Sequence, residues 1–185
     1  MRCKFLLLSV FCLSLNHKIV AQVNAAYERK PDIVNFGPGF GFDYGGIGAN
    51  LMVYPQINIG IFFGGGYVFA GFGYNAGIKL RLSPDKAGVV NPFLTAMYGY
   101  NAAVLITDYN SQLSKLFYGP TIGFGVDIRS KKPSSKGYLT LALMVPIRSA
   151  DAQNYIDYLK TQYGETFLND LIPVGFSIGY KFILN

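Results

Sequence analysis

From position 32 onward, apolar residues alternate with polar or small ones at a period of two, which is the period of a β-strand. Between 117 and 129, one parity carries Tyr118, Pro120, Ile122, Phe124, Val126 and Ile128. The other carries Gly119, Thr121, Gly123, Gly125, Asp127 and Arg129. Near the C-terminus, Ile172, Val174, Phe176, Ile178, Tyr180 and Phe182 alternate with Pro173, Gly175, Ser177, Gly179 and Lys181. The same separation recurs along the chain and predicts eight strands, at 33–44, 47–54, 58–69, 72–82, 92–106, 117–129, 138–148 and 172–183.

Parity locates the turns. A two-residue hairpin pairs residue i with i+3, so the outward set passes from even to odd numbers across it. Val34, Phe36, Phe40, Phe42 and Tyr44 are even, whereas Ile47, Ala49, Leu51 and Val53 are odd, which puts a turn at Gly45-Gly46. A second switch fits a tip at Ala70-Gly71, with Gly64-Gly65 also satisfying parity. Connections then alternate between two sides. One side has the two glycine turns, a polar loop at 107–116 and a long segment at 149–171; the other has only the short connections 55–57, 83–91 and 130–136. In the long segment, Ala152, Tyr155, Ile156, Leu159 and Tyr163 recur at helical spacing. This predicts a short amphipathic helix capped by Ser149 or Asp151, packed on the barrel rim, laid on the membrane interface or exposed to a partner.

Alternating strands of this number describe either a soluble barrel with an apolar interior or a membrane barrel with an apolar exterior. The chemistry of the less apolar face separates them. Most of the 22 glycines fall on it, among them Gly39, Gly64, Gly123 and Gly179, where a water-facing surface would carry Lys, Glu and Gln. Small residues suit the concave inside of a narrow barrel. No charged residue occurs between Tyr44 and Ile78, and the proposed outward positions lack Lys, Arg, Asp and Glu throughout. A lysine or arginine facing lipid at the bilayer midplane costs about 2–4 kcal/mol, so a lipid-facing band excludes them. Tyr44, Tyr74, Tyr118, Tyr180 and Phe182 at outward strand ends fit interfacial aromatic girdles.

Composition agrees. The chain of 185 residues is 51% hydrophobic, 16% aromatic and 14% charged, against about 25% charged in ordinary soluble domains. Residues 1–21 read as a secretory signal: Arg2 and Lys4, then an apolar stretch from Phe5 to Leu15, then Ile19-Val20-Ala21. That stretch is shorter than the roughly 20 residues a spanning helix needs. Residues 22–185 then form one barrel domain.

Both cysteines, Cys3 and Cys12, and the single histidine, His17, lie within that leader, so cleavage leaves a chain without thiol or imidazole. Disulfides, Cys/His zinc sites, a histidine base and a Ser-His-Asp triad are thereby excluded. No cofactor, metal or catalytic residue is expected. The basic residues are few and scattered, which argues against nucleic acid.

A leader, eight alternating strands, turns short on one side and long on the other, and a last strand carrying Tyr180 and Phe182 resemble the small outer-membrane β-barrels of Gram-negative bacteria. The resemblance implies an all-β, eight-stranded antiparallel up-and-down transmembrane barrel with one short helix in its last long loop. It implies a place in the outer membrane with the termini and short turns in the periplasm. It further implies contact with outer-membrane lipid and lipopolysaccharide, insertion by the barrel-assembly machinery, and a monomer. Enzymes of that architecture depend on a histidine that this chain lacks after cleavage, so a structural or surface-interaction role is expected.

The inward charges are the one constellation of interest. Lys79, Arg81, Arg129 and Lys181, with Asp127 among them, fall toward the short-turn end, and Asp43 and Arg148 toward the other. They form either a structural ion-pair network with a solvated rim or a basic vestibule for an anionic solute. Phe62, Phe93, Met52, Met97, Val68 and Met144 either fill the lumen or line a path for an apolar one. A narrow passive channel or a binding barrel is therefore the alternative function.

Overall fold

The computed structural model describes residues 32–83, 89–106, 113–131, 135–163 and 172–184, apart from the side chain of Tyr163. The expected leader at 1–21, most of the loop at 107–116 and part of the segment at 149–171 lie outside the described residues. The strands are β1 (Val34–Gly41), β2 (Gly46–Gln56), β3 (Ile59–Val68), β4 (Gly71–Arg81), β5 (Val90–Val104), β6 (Lys115–Arg129), β7 (Gly137–Pro146) and β8 (Gly175–Ile183). One helix, α1 (Ala150–Tyr163), lies between β7 and β8. Each strand pairs antiparallel with the next, and β8 returns to β1 from Asn35↔Ile183 to Phe40↔Ile178, so the sheet is a closed eight-stranded barrel.

Alternation fixes which face each residue takes. Phe36, Phe40, Ile61, Phe63, Ile78, Ile122 and Phe124 stand on the outside and are exposed. Asn35, Asn50, Asn75, Lys79, Arg81, Thr95, Thr121, Asp127 and Lys181 point inward and are buried. Among the described strand residues, Lys115 at the start of β6 is the one charged side chain that is exposed. Buried charges and a wide exposed apolar surface are the two uncommon features of this arrangement.

Two turns differ from the parity reading. β1 stops at Gly41, which pairs with Gly46, and Phe42–Tyr44 form a single 3-10 turn between them. Gly45 closes the turn at φ 66° and Gly46 follows at φ 103°, left-handed conformations that glycine reaches without a Cβ penalty. The turn folds into the barrel rather than continuing the strand. Tyr44, expected on the outer girdle, is therefore 0% exposed, and Phe42 packs against the interior cluster. At the next tip, Val68 pairs with Gly71, so the turn is Phe69-Ala70, one residue earlier than expected.

β5 and β6 run past the rest of the wall. β4 follows β5 only as far as Asn75↔Gly99, while β5 and β6 continue pairing to Val104↔Lys115 across a bulge at Tyr100–Ala102. Their upper ends expose Ala102, Val104 and Phe117, and α1 covers this surface with Ala152, Ile156 and Leu159. The Tyr155 hydroxyl donates to the Leu113 carbonyl at 2.7 Å. The helix therefore packs on the barrel wall, as one of the expected placements has it. Ser149 donates its hydroxyl to the Asp151 carboxylate at 3.1 Å at the helix start.

Candidate functional site

The inner face of β4 presents Lys79 and Arg81, two residues apart, and β6 presents Asp127 and Arg129 in the same way. Both strands flank β5, so acids and bases face each other across one strand. Lys79 Nζ lies 2.7 Å from Asp127 Oδ1, and Arg81 Nε lies 3.9 Å from Asp127 Oδ2. Asp32, just ahead of β1, comes from the opposite wall. Its carboxylate accepts from Arg81 Nη1 at 2.9 Å, Arg81 Nη2 at 2.6 Å and Arg129 Nη2 at 2.5 Å. It therefore straps the first strand across the mouth to β4 and β6. Burial pushes the Asp32 pKa up, but its bonds to Arg81 and the charges of Arg81 and Arg129 outweigh this, holding the carboxyl below its usual range.

Aromatic rings line the cations. Lys79 Nζ sits 3.6 Å from the centre of the Phe93 ring, the Arg81 guanidinium 3.5 Å from that of Tyr54, and the Arg129 guanidinium 4.8 Å from that of Tyr138. These ring faces offset part of the cost of removing cations from water. Next to this layer, Met52, Tyr54, Phe62, Phe93, Met97, Ala142 and Met144 form one buried cluster. Of the side chains named as lumen fillers, Val68 alone stands outside it, half-buried.

Lys181 belongs to a different layer from the cations it was grouped with. Its ammonium donates to Asn50 Oδ1 at 2.5 Å and lies 4.6 Å from the centre of the Tyr44 ring. Asn50 Nδ2 donates to the Asp43 carbonyl at 2.6 Å, and Asn75 Nδ2 to the Phe42 carbonyl at 2.6 Å. The turn carrying Asp43 is thus held by side chains of the wall. Arg148 stands apart near the helix, half-buried, with Nε donating to the Asn101 carbonyl at 3.4 Å; burial lowers its pKa from the ordinary value.

The expected cluster therefore divides into three: Lys79, Arg81, Asp127 and Arg129 at the short-turn mouth, Lys181 with the turn of Asp43, and Arg148 alone. Asp32, Tyr54 and Tyr138 are the members that sequence reasoning missed. Four cations assigned to one mouth with Asp127 as their single acid left a charge imbalance, and Asp32 is the acid just ahead of the first strand at that same mouth. Chemically, the arrangement can neutralise buried charge and hold an oxyanion. Among the described residues no three His, Cys, Asp or Glu side chains come together as metal ligands. The chain matches no protein-family model, and no curated protein is significantly similar to it.

Proposed function

We propose that the chain is an integral outer-membrane β-barrel with a closed lumen, acting as a structural or surface-interaction element of the envelope rather than as an enzyme. The observation that carries this reading is inverted polarity: a wall of exposed Phe, Ile, Leu, Val and Tyr encloses an interior of ion pairs, asparagines and threonines. Soluble monomers rarely expose continuous apolar patches beyond a few hundred Å². A belt of such residues around every strand matches a hydrocarbon solvent. In this reading lipid and lipopolysaccharide surround the barrel, the assembly machinery inserts it, and it works as a monomer. The short-turn mouth with Asp32 faces the periplasm, and α1 with the raised β5–β6 ends faces outward.

Fractionation of expressing cells tests this, combined with a gel comparing boiled and unboiled samples. Recovery in the outer-membrane fraction, released by detergent and shifting mobility on boiling, is the expected result. Recovery as a soluble periplasmic protein needing no detergent overturns it.

A further inference from the structure

Asp32 does not saturate the donors around it. It accepts from three guanidinium nitrogens, yet Nε of Arg81 and Nε of Arg129 are buried without a hydrogen-bond partner. The Arg81 side chain is only 4% exposed. Asp127 cannot complete the set, because Lys79 holds one oxygen and the other is too far from Arg81 Nε for a hydrogen bond. Among the described residues three cations thus face two carboxylates, and the Tyr138 hydroxyl accepts from Arg81 Nη2 at 3.5 Å. Both Nε donors stay unpaired even though Asp127 Oδ2 is itself without a hydrogen bond.

The two acids are also attached differently. Asp127 sits within the ladder of β6, opposite Asn91 on one side and Thr140 on the other. Asp32 precedes the ladder, whose first β1–β2 pair is Val34↔Val53, with the Ile33 carbonyl accepting one bond from the Tyr54 N–H. A 3.3 Å bond from Asn35 Nδ2 to the Asp32 carbonyl is its local tie. The main chain at Asp32 can therefore move off the arginines without breaking a strand pair, whereas that at Asp127 is held by a strand on each side. The cluster reaches solvent at Arg129, its most exposed cation.

We propose that Arg81 and Arg129 form an oxyanion-binding site at the short-turn mouth, and that Asp32 is its tethered occupant, displaced by a phosphate or carboxylate from outside the chain. The planar fork of Arg81 already grips a carboxylate with two bonds, the geometry that suits either group. A phosphate brings more acceptors than Asp32 and can reach the unpaired Nε donors. The site lies on the rim, so it stands whether or not the lumen is closed and whichever membrane holds the barrel.

The test is calorimetric titration of inorganic phosphate into the full chain refolded in a phosphate-free maltoside, comparing wild type, Asp32→Asn and Asp32→Asn with Arg129→Gln. Removing a self-occupant raises the binding-competent fraction, so Asp32→Asn binds at least about tenfold more tightly than wild type, and the double variant loses that gain. Asp32→Asn binding no more tightly than wild type overturns the proposal. A short-chain phosphatidic acid titrated in parallel separates sources: tighter binding than inorganic phosphate marks a lipid headgroup, and equal binding marks a free anion. Should Asp32→Asn not fold in chloride, folding in phosphate at equal ionic strength supports the site, and failure in both salts counts against it.

Discussion

The two halves of the lumen are filled by different means. Toward the short turns, side chains fill it: Tyr54, Phe93 and Met144 lie over Gly60, Gly125 and Gly123, whose missing Cβ atoms make the room. Toward the long loops, backbone fills it. The turn at Phe42–Gly45 enters the barrel, its Tyr44 ring lies against Gly39 and Gly179, Phe42 lies against Gly175, and the main chain of Asp43 and Tyr44 presses on Gly64, Gly48 and Gly66. A glycine-rich inner wall is therefore no sign of an open pore. In one half it receives neighbouring side chains, and in the other a folded-in turn.

The largest effect should come from the half built on charge. Asp127→Ala leaves Lys79 buried with its carboxylate gone, and breaking such a pair costs about 3–5 kcal/mol. Urea unfolding of the barrel in liposomes measures it; a loss under about 1 kcal/mol would mean that water reaches Lys79 and the charged half is wet.

In the half built on backbone, Tyr44→Ala removes the ring at the centre of the turn and should cost about 3 kcal/mol, typical of a buried aromatic. Gly39→Ala meets the same ring from the wall side and should cost about 1–3 kcal/mol by overpacking. The two changes should not add, because without the ring there is nothing for the new methyl to strike. Simple additivity in a double-mutant cycle would show that the turn does not fill that half.

These predictions also mark what the sequence could convey. The eight strands and their faces were legible because alternation at 117–129 or 172–183 records which side is apolar, and β6 and β8 follow it. The inward turn was not. Phe42 and Tyr44 keep the even parity of β1, and an aromatic residue suits lipid and a packed lumen equally, so parity cannot tell a strand that continues from one that ends and turns in. Lys79, Arg81, Asp127 and Arg129 come together because short connections place their strand ends at one mouth, whereas Lys181, expected with them, lies on Asn50 and Tyr44. Asp32 stayed hidden because its partners on β4 and β6 are across the barrel, a proximity that exists only after closure.

Acid should separate the halves further. The Asp32 carboxyl has a lower pKa folded than unfolded, so its contribution is complete above the unfolded value of about 4 and is lost as pH falls through the folded one. Stability should decline on acidification below about pH 4, and Asp32→Asn should flatten that limb. Unfolding midpoints collected across pH check this; an unchanged limb in the variant would remove Asp32 as its source.

The smallest effect on the barrel belongs to the cap. Leu159→Asp should detach α1 from Ala102, Val104 and Phe117 while changing barrel unfolding by less than about 1 kcal/mol, since local elements open below the global threshold. Limited proteolysis should show faster cutting in 149–171 with the barrel core intact. Loss of the whole barrel would make the helix part of its core.

The most direct measurement is single-channel recording of the purified full chain in a planar bilayer. With backbone filling one half and side chains the other, the account predicts no stable conductance steps from the wild-type barrel. Stable steps whose size or ion selectivity changes in Lys79→Ala or Arg129→Ala would contradict it.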